Sequence, residues 1–331
     1  MDACNVALLL GQPLLLTGDP GTGKTQFAHS LAWEFNLGEP IKFETKSTSN
    51  ARELFYTYDA LKRFQDAQSG QPASGALPYL TYGALGEAIL RTRHWVDVKD
   101  CLPPDFEHPG RPQDEQDSRA TSPDAAGQKM PEDPAYPGRG RSVVLIAEVD
   151  KAPRDFPNDI LNEIELMYFR VPELGNVKLE ADPNLRPIVI ITSNSEKDLP
   201  DAFLRRCVYY HIPFPKPDRL REIVANRLGI GESENAFLHD ALDLFYRLRD
   251  YSVGLRKPPS PAELMGWLLT LQELAPGEAN PLSNRERARR TISSLVKRDD
   301  DQKSAQDIVE QWTKISKSPD TPGSTPTPSP S

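Results

Sequence analysis

The sequence predicts an α/β fold, a parallel sheet covered by helices on both faces and followed by a smaller, purely helical domain. Three observations predict it. Short apolar runs rich in Leu, Ile and Val alternate with helix-spaced segments as far as Ile212. A glycine-rich loop separates the first apolar run from the first long helix pattern. After Pro213-Phe214-Pro215 the strand-like runs stop and only helical spacing continues.

In chain order, Pro13 to Thr17 reads as a buried strand and Gln26 to Phe35 as the helix after the glycine loop. Ile41 to Phe43 is a short strand. Ala51 to Gln68 is read as one helix, with Leu54, Tyr58, Leu61 and Phe64 on a single face. Tyr82 to Thr92 is a shorter helix, Ser142 to Ala147 a second strongly apolar strand, and Asn158 to Met167 a helix. Phe169 to Leu179 reads as a β-hairpin turning at Gly175-Asn176. Pro187 to Thr192 and Val208 to Ile212 complete a five-stranded sheet. Beyond it, Pro217 to Leu228, Asn235 to Leu248 and Ser260 to Leu271 carry helical spacing.

Composition sets the boundaries. Residues 1–215 are expected to form the core, 216–295 a helical lid, and 296–331 a mostly disordered, low-complexity tail in which Ser304 to Ser316 could make one amphipathic helix. Val96 to Arg141 is rich in Pro, Asp, Glu, Gln and Ser. It is read as a disordered insertion, because so few apolar groups cannot offset the entropy of ordering. The net charge of −9 argues against a generally basic nucleic-acid binder. The three cysteines, Cys4, Cys101 and Cys207, show no metal-ligand spacing and fit a reducing cytoplasm. Val6 to Leu16 is interrupted by Gly11-Gln12-Pro13 and is too short to cross a bilayer; it also lacks the basic start and cleavage site of a signal peptide. A cytoplasmic location without membrane attachment is the expectation.

Gly18-Asp19-Pro20-Gly21-Thr22-Gly23-Lys24-Thr25 fits the phosphate-binding pattern G-x-x-x-x-G-K-[ST] at every fixed position. Its glycines let backbone N–H groups turn inward around phosphates, with Gln26 next on the helix. Lys24 is placed to reach the β/γ-phosphates and Thr25 to hold Mg²⁺. ATP with Mg²⁺ is the expected cofactor. The strand Ser142 to Ala147 ends beside Glu148, a candidate general base. Asn194 closes the strand Ile188 to Ile191 and could orient a water or touch the γ-phosphate; Asn is also an ordinary turn residue there. Arg205-Arg206 ends a helix begun at Pro200, either as a donated arginine or as a cation at a helix C-terminus. Arg256-Lys257 could reach the same phosphates from the second domain or form a solvated basic loop.

Taken with Gln12-Pro13-Leu14-Leu15-Leu16, Glu148-Val149-Asp150-Lys151-Ala152-Pro153, Asn158 to Glu165, Phe169 to Leu174 and Leu199 to Cys207, these residues resemble the MoxR family of AAA+ ATPases over about residues 1 to 275. The resemblance implies a P-loop AAA+ core, a lid, and assembly into a ring, expected to be a hexamer. It implies ATP-driven, chaperone-like remodelling of a client, with a von Willebrand factor A-domain protein as partner. Its register puts Ala147 where relatives carry the Mg²⁺-linked Asp, Glu148 on the catalytic Glu, Asn194 on the sensor and Arg206 on the arginine finger, with Arg205 as the alternative. A rival register, with Glu148 replacing the Asp and Asp150 the base, needs a shifted strand. Relatives carry a second-sensor Arg after Ser-Pro at the start of the lid helix; Ala262 stands there, so Arg256 is the substitute. The hairpin Phe169 to Leu179 and the region Phe64 to Trp95 resemble the family's pore-facing insertions. The family usually carries more chain upstream of the first strand, and that part is expected to be short or trimmed here. Ala147 leads to slow hydrolysis. Besides an ATPase, the competing classes are a nucleotide-loaded scaffold that hardly turns over and, less favoured, a nucleic-acid motor.

Overall fold

The computed structural model describes residues 2–70, 75–112, 138–194, 199–231, 235–250 and 254–315. The chain divides into two compact units, residues 1–18 with 23–212, and residues 19–22 with 213–331.

The first unit is built on nine strands: β1 (Leu14–Thr17), β2 (Ile41–Glu44), β3 (Tyr56–Tyr58), β4 (Leu80–Tyr82), β5 (Val143–Ala147), β6 (Tyr168–Val171), β7 (Val177–Glu180), β8 (Ile188–Thr192) and β9 (Val208–His211). Five make one sheet in the order β2-β5-β8-β1-β9, and every pairing in it is parallel. The sheet is the expected one. Its middle strands are continuous Leu, Ile and Val because both faces are buried.

The two-residue alternation of each strand sorts its side chains into two cores. Leu15, Val144, Ile146, Val189 and Ile191 face one. Leu14, Leu16, Val143, Leu145, Ala147 and Ile190 face the other, together with Ala28 and Leu31 of the helix Lys24–Glu34. A helix that the sequence did not announce, Asp2–Leu10, also covers this second face through Cys4 and Ala7. Burial pushes the Cys207 thiol up to about 12, which makes it an inert part of the first core.

Two helix readings are corrected here. The helix expected over Ala51–Gln68 is a 3₁₀ turn (Ala51–Leu54), then β3, then a helix over Ala60–Gln68. Tyr56-Thr57-Tyr58 pairs antiparallel with Leu80–Tyr82, as aromatic and β-branched residues favour. Asp59 then starts the helix by accepting from the Lys62 N–H at 2.8 Å. Leu61 and Phe64 end on its exposed side. The helix expected from Tyr82 begins only at Ala84.

The insertion read as starting at Val96 carries structure through its first part. Trp95–Val98 is helical, and Val98, Leu102 and His108 are buried. Gly140 N–H returns to the Arg91 carbonyl at 2.8 Å, and Arg139 pairs with Asp182 at 2.6 Å. Residues 113–137, the remainder of that reading, lie outside the described residues.

The second unit is helical, as expected: Pro217–Leu228, Asn235–Arg249, Pro261–Leu274, Arg285–Leu295 and Asp299–Ile315. Gly229, at φ 64°, ends the first of these, and Ser260 with Glu263 forms a capping box on the third. The amphipathic helix expected over Ser304 to Ser316 is present and begins earlier, at Asp299. Ala305, Val309 and Trp312 are buried in the same core as Phe237, Phe245, Trp267 and Leu268. Trp312 Nε1–H donates to Asp243 at 2.7 Å, and the Arg285 guanidinium lies 3.5 Å from its ring centroid. The low-complexity composition belongs to residues 316–331, which lie outside the described residues.

Two predictions follow from this packing. Trp312→Ala removes a buried indole together with its hydrogen bond and should destabilise the second unit by about 3–5 kcal/mol, measured by urea unfolding. The second concerns His108, whose Nδ1 accepts from the Gly110 N–H at 3.1 Å while Nε2 lies 3.2 Å from the Leu90 carbonyl. Burial first, then the charges of Arg91 and His94, push its pKa below the ordinary value, although bonds to the Leu90 and Arg93 backbone oppose this. The fold therefore holds the neutral ring. Its stabilisation is complete above the unfolded value of about 6.5 and is lost as pH falls through the lower folded value, because the unfolded chain takes the proton first. The fall in melting temperature between pH 7.5 and 5.5 should be smaller in His108→Asn than in the unaltered chain.

Candidate functional site

β8 lies between β1 and β5, so the segments that follow these three strands emerge side by side at the carboxyl edge of the sheet. In register, Leu16 is level with Thr192, and Ile146 with Ile191. The glycine loop, Glu148 and Asn194 therefore start from three adjacent strand ends. This is the edge at which open parallel sheets take ligands.

The loop adopts the conformation its glycines allow. Gly18, Gly21 and Gly23 have φ of 138°, 80° and 94°, values that disfavour residues with a Cβ. Thr22 closes the turn by donating from its N–H and its hydroxyl to the Asp19 carbonyl, the latter at 2.8 Å. Gly23 precedes the helix Lys24–Glu34, and no side chain caps its N-terminus. The first-turn N–H groups thus face outward with the positive end of the helix dipole. Lys24 is buried, and its ammonium donates to the Gly18 carbonyl at 2.7 Å, which folds its charge over the loop. Thr25 and Gln26 are exposed on the first turn. Glycine backbone at positive φ, an uncapped helix start and a folded-back ammonium are the features by which such a loop can receive an anion.

β5 ends at Ala147, which is level with Glu44 of β2. The Ala147 methyl is buried on the face covered by the helix that opens with Lys24-Thr25. Glu148 leaves the strand with φ 58° and ψ 51°, a left-handed backbone unusual for a residue with a side chain. It is held there by its N–H, which donates to Thr192 Oγ1 at 3.1 Å. Its carboxylate pairs with Lys151 at 2.5 Å, and that partner raises the Lys151 pKa. The strand ends one residue before Glu148.

Asn194 follows β8, and its N–H donates to Asp150 Oδ1 at 3.1 Å. Sequence reasoning raised Asp150 only as a rival base; its carboxylate as the acceptor for Asn194 was missed, because no spacing signal links a turn after one strand to the end of another. Arg206 stands just before β9, at the edge where the strands begin, opposite the edge that carries the loop. Strands of this length separate the two edges by about 15 Å. It pairs with Glu165 at 3.6 Å, and Arg205 beside it is exposed. Arg256 pairs with Asp300 at 3.0 Å, and its N–H donates to Asp301 at 2.9 Å. The acidic run that opens the helix Asp299–Ile315 thus takes up the cation proposed as a second sensor.

Among the described residues no group of three or more His, Cys, Asp or Glu could hold a metal ion, and no helix is long and apolar enough to cross a membrane. Compared with known proteins, the chain matches no family model and no curated protein.

Proposed function

We propose that this chain is a nucleotide-binding P-loop protein of the MoxR type, taking ATP with Mg²⁺ on residues 18–26 and hydrolysing it slowly. The observation that carries this reading is the convergence of the glycine loop, Glu148 and Asn194 on three adjacent strand ends. The backbone of Gly18 to Gly23 receives the phosphates, Lys24 turns from the Gly18 carbonyl to the β/γ-oxygens, and Thr25 offers its hydroxyl to the ion. Bound Mg²⁺ neutralises charge on the transferring phosphoryl group. Glu148 faces the attacking water as base once it parts from Lys151, and Asn194 orients the γ-phosphate end.

Ala147 makes the rate slow. A methyl cannot accept a hydrogen bond from metal-bound water, so Thr25 is the one protein group proposed to hold the ion, and it would have no carboxylate beside it at Ala147. A misplacement of about 1 Å at the reacting atoms costs roughly 100-fold. The same observation, with Glu148 already paired to Lys151, favours a second reading in which the nucleotide-loaded chain acts as a scaffold and turnover matters little.

Assembly into a ring, with Arg206 completing the site of a neighbouring copy, is part of the proposal. Its support is that Arg206 stands at the sheet edge away from the loop of its own chain, so that it can act only in trans. Chaperone-like remodelling of a client, with a von Willebrand factor A-domain partner, rests on the MoxR resemblance.

Two measurements test the reading. Lys24→Ala should abolish most ATP binding in calorimetry, since the ammonium makes a charge-assisted contact with the phosphates; equal affinity in the variant removes the nucleotide assignment. Ala147→Asp should raise ATP turnover at least about tenfold, equivalent to about 1.4 kcal/mol of barrier. A chain that already turns over rapidly and gains nothing from Asp would show that another acid serves the ion.

A further inference from the structure

The ends of β5 and β8 are tied by two hydrogen bonds that run in opposite directions. Glu148 N–H donates to the hydroxyl of Thr192, the last residue of β8. Asn194 N–H donates to the carboxylate of Asp150, in the 3₁₀ turn that follows β5. One residue earlier, Ser193 N–H still pairs with the Leu16 carbonyl at 3.0 Å. Successive N–H groups alternate sides, so Asn194 N–H faces β5, which has ended at Ala147, and the Glu148 carbonyl next in line accepts from Lys151 N–H instead. Asp150 supplies the acceptor on that side.

We propose that Asp150 is a positioning residue for Asn194, and that through it the site distinguishes a nucleoside triphosphate from a diphosphate. The inference rests on the nucleotide reading above. Asn194 can read a γ-phosphate only if its backbone is fixed to within about 0.5 Å. The neighbouring Ser193 is held by β1, and the Asp150 carboxylate provides the fixing bond at Asn194 itself. Asp150 does not touch the nucleotide; its single role is to hold the residue that does. A carboxylate near phosphates also repels them, and this charge effect acts on ADP and ATP alike in sign. Positioning and charge are therefore separable by substitution. Asn keeps the acceptor oxygen without the charge. Ala loses both. Glu keeps the charge and displaces the oxygen by one methylene.

The experiment is calorimetric binding of ADP and of a non-hydrolysable ATP analogue to the full chain and to Asp150→Asn, Asp150→Ala and Asp150→Glu. The preference for the ATP analogue over ADP should stay near the unaltered value in Asp150→Asn. It should fall about tenfold in Asp150→Ala and in Asp150→Glu, the scale of one lost hydrogen bond to a charged group. Should the Ala chain fail to fold, the Glu chain carries the test. Equal preference ratios in Asn, Ala and Glu chains, with ADP binding intact, overturn the positioning role and leave the nucleotide reading standing. Asn and Ala chains that shift together, away from the Glu chain, make Asp150 a charge effect only and also overturn it. Failure of the unaltered chain to bind either nucleotide overturns both.

Discussion

The insertion of β8 between β1 and β5 is the constraint on which the site depends. A parallel sheet points every strand the same way, so each following loop emerges at one edge. The order of strands then decides which loops are neighbours. With β8 in the middle, the segment carrying Asn194 falls between the glycine loop and Glu148. Both faces of the sheet must be buried for this order to hold, and the alternation of side chains in β1, β5 and β8 meets that need on each side.

The three middle strands β1, β5 and β8 were legible because each is a short, nearly unbroken apolar run, and the loop because its glycines stand at fixed spacing. Strand order was not legible, since no local pattern encodes which strand a run pairs with. The helix expected over Ala51–Gln68 failed for a related reason. Leu54, Tyr58, Leu61 and Phe64 have helical spacing, but the pairing of Tyr56–Tyr58 with Leu80–Tyr82 is a long-range contact that overrides it. The tail helix was legible from Ser304 because Ala305, Val309 and Trp312 form an apolar stripe, whereas its start in the acidic run at Asp299 carries no apolar signal. At the site, the loop, Ala147, Glu148 and Asn194 were named from sequence, whereas the acceptor role of Asp150 and the pairing of Arg256 with Asp300 require three-dimensional partners.

Ala147 and Glu148 carry opposite messages about turnover, and their geometry explains how both can hold. Ala147 is a buried member of a well-packed face, so its methyl costs nothing in folding. Glu148 sits in a left-handed conformation. Strain of that kind persists only where surrounding bonds enforce it, and here Thr192 does so. Under the proposed function, this is the arrangement of a catalytic turn without the acid that would steady an ion beside it.

The location of Arg206 extends the argument beyond one chain. Its half-exposed side chain has Glu165 at 3.6 Å, a contact that screening by water leaves weak. A guanidinium so lightly held can exchange one acidic partner for another. A phosphate on a neighbouring copy would offer it bidentate, charge-assisted bonds, which are stronger than a single exposed carboxylate contact. Under the proposed function, nucleotide on one chain and Arg206 on the next would then stabilise each other by reciprocal linkage. Slow hydrolysis at Ala147 would prolong that state. The substitution that weakens chemistry would therefore strengthen assembly, so a chain of this design can serve through the lifetime of its loaded complex rather than through its turnover.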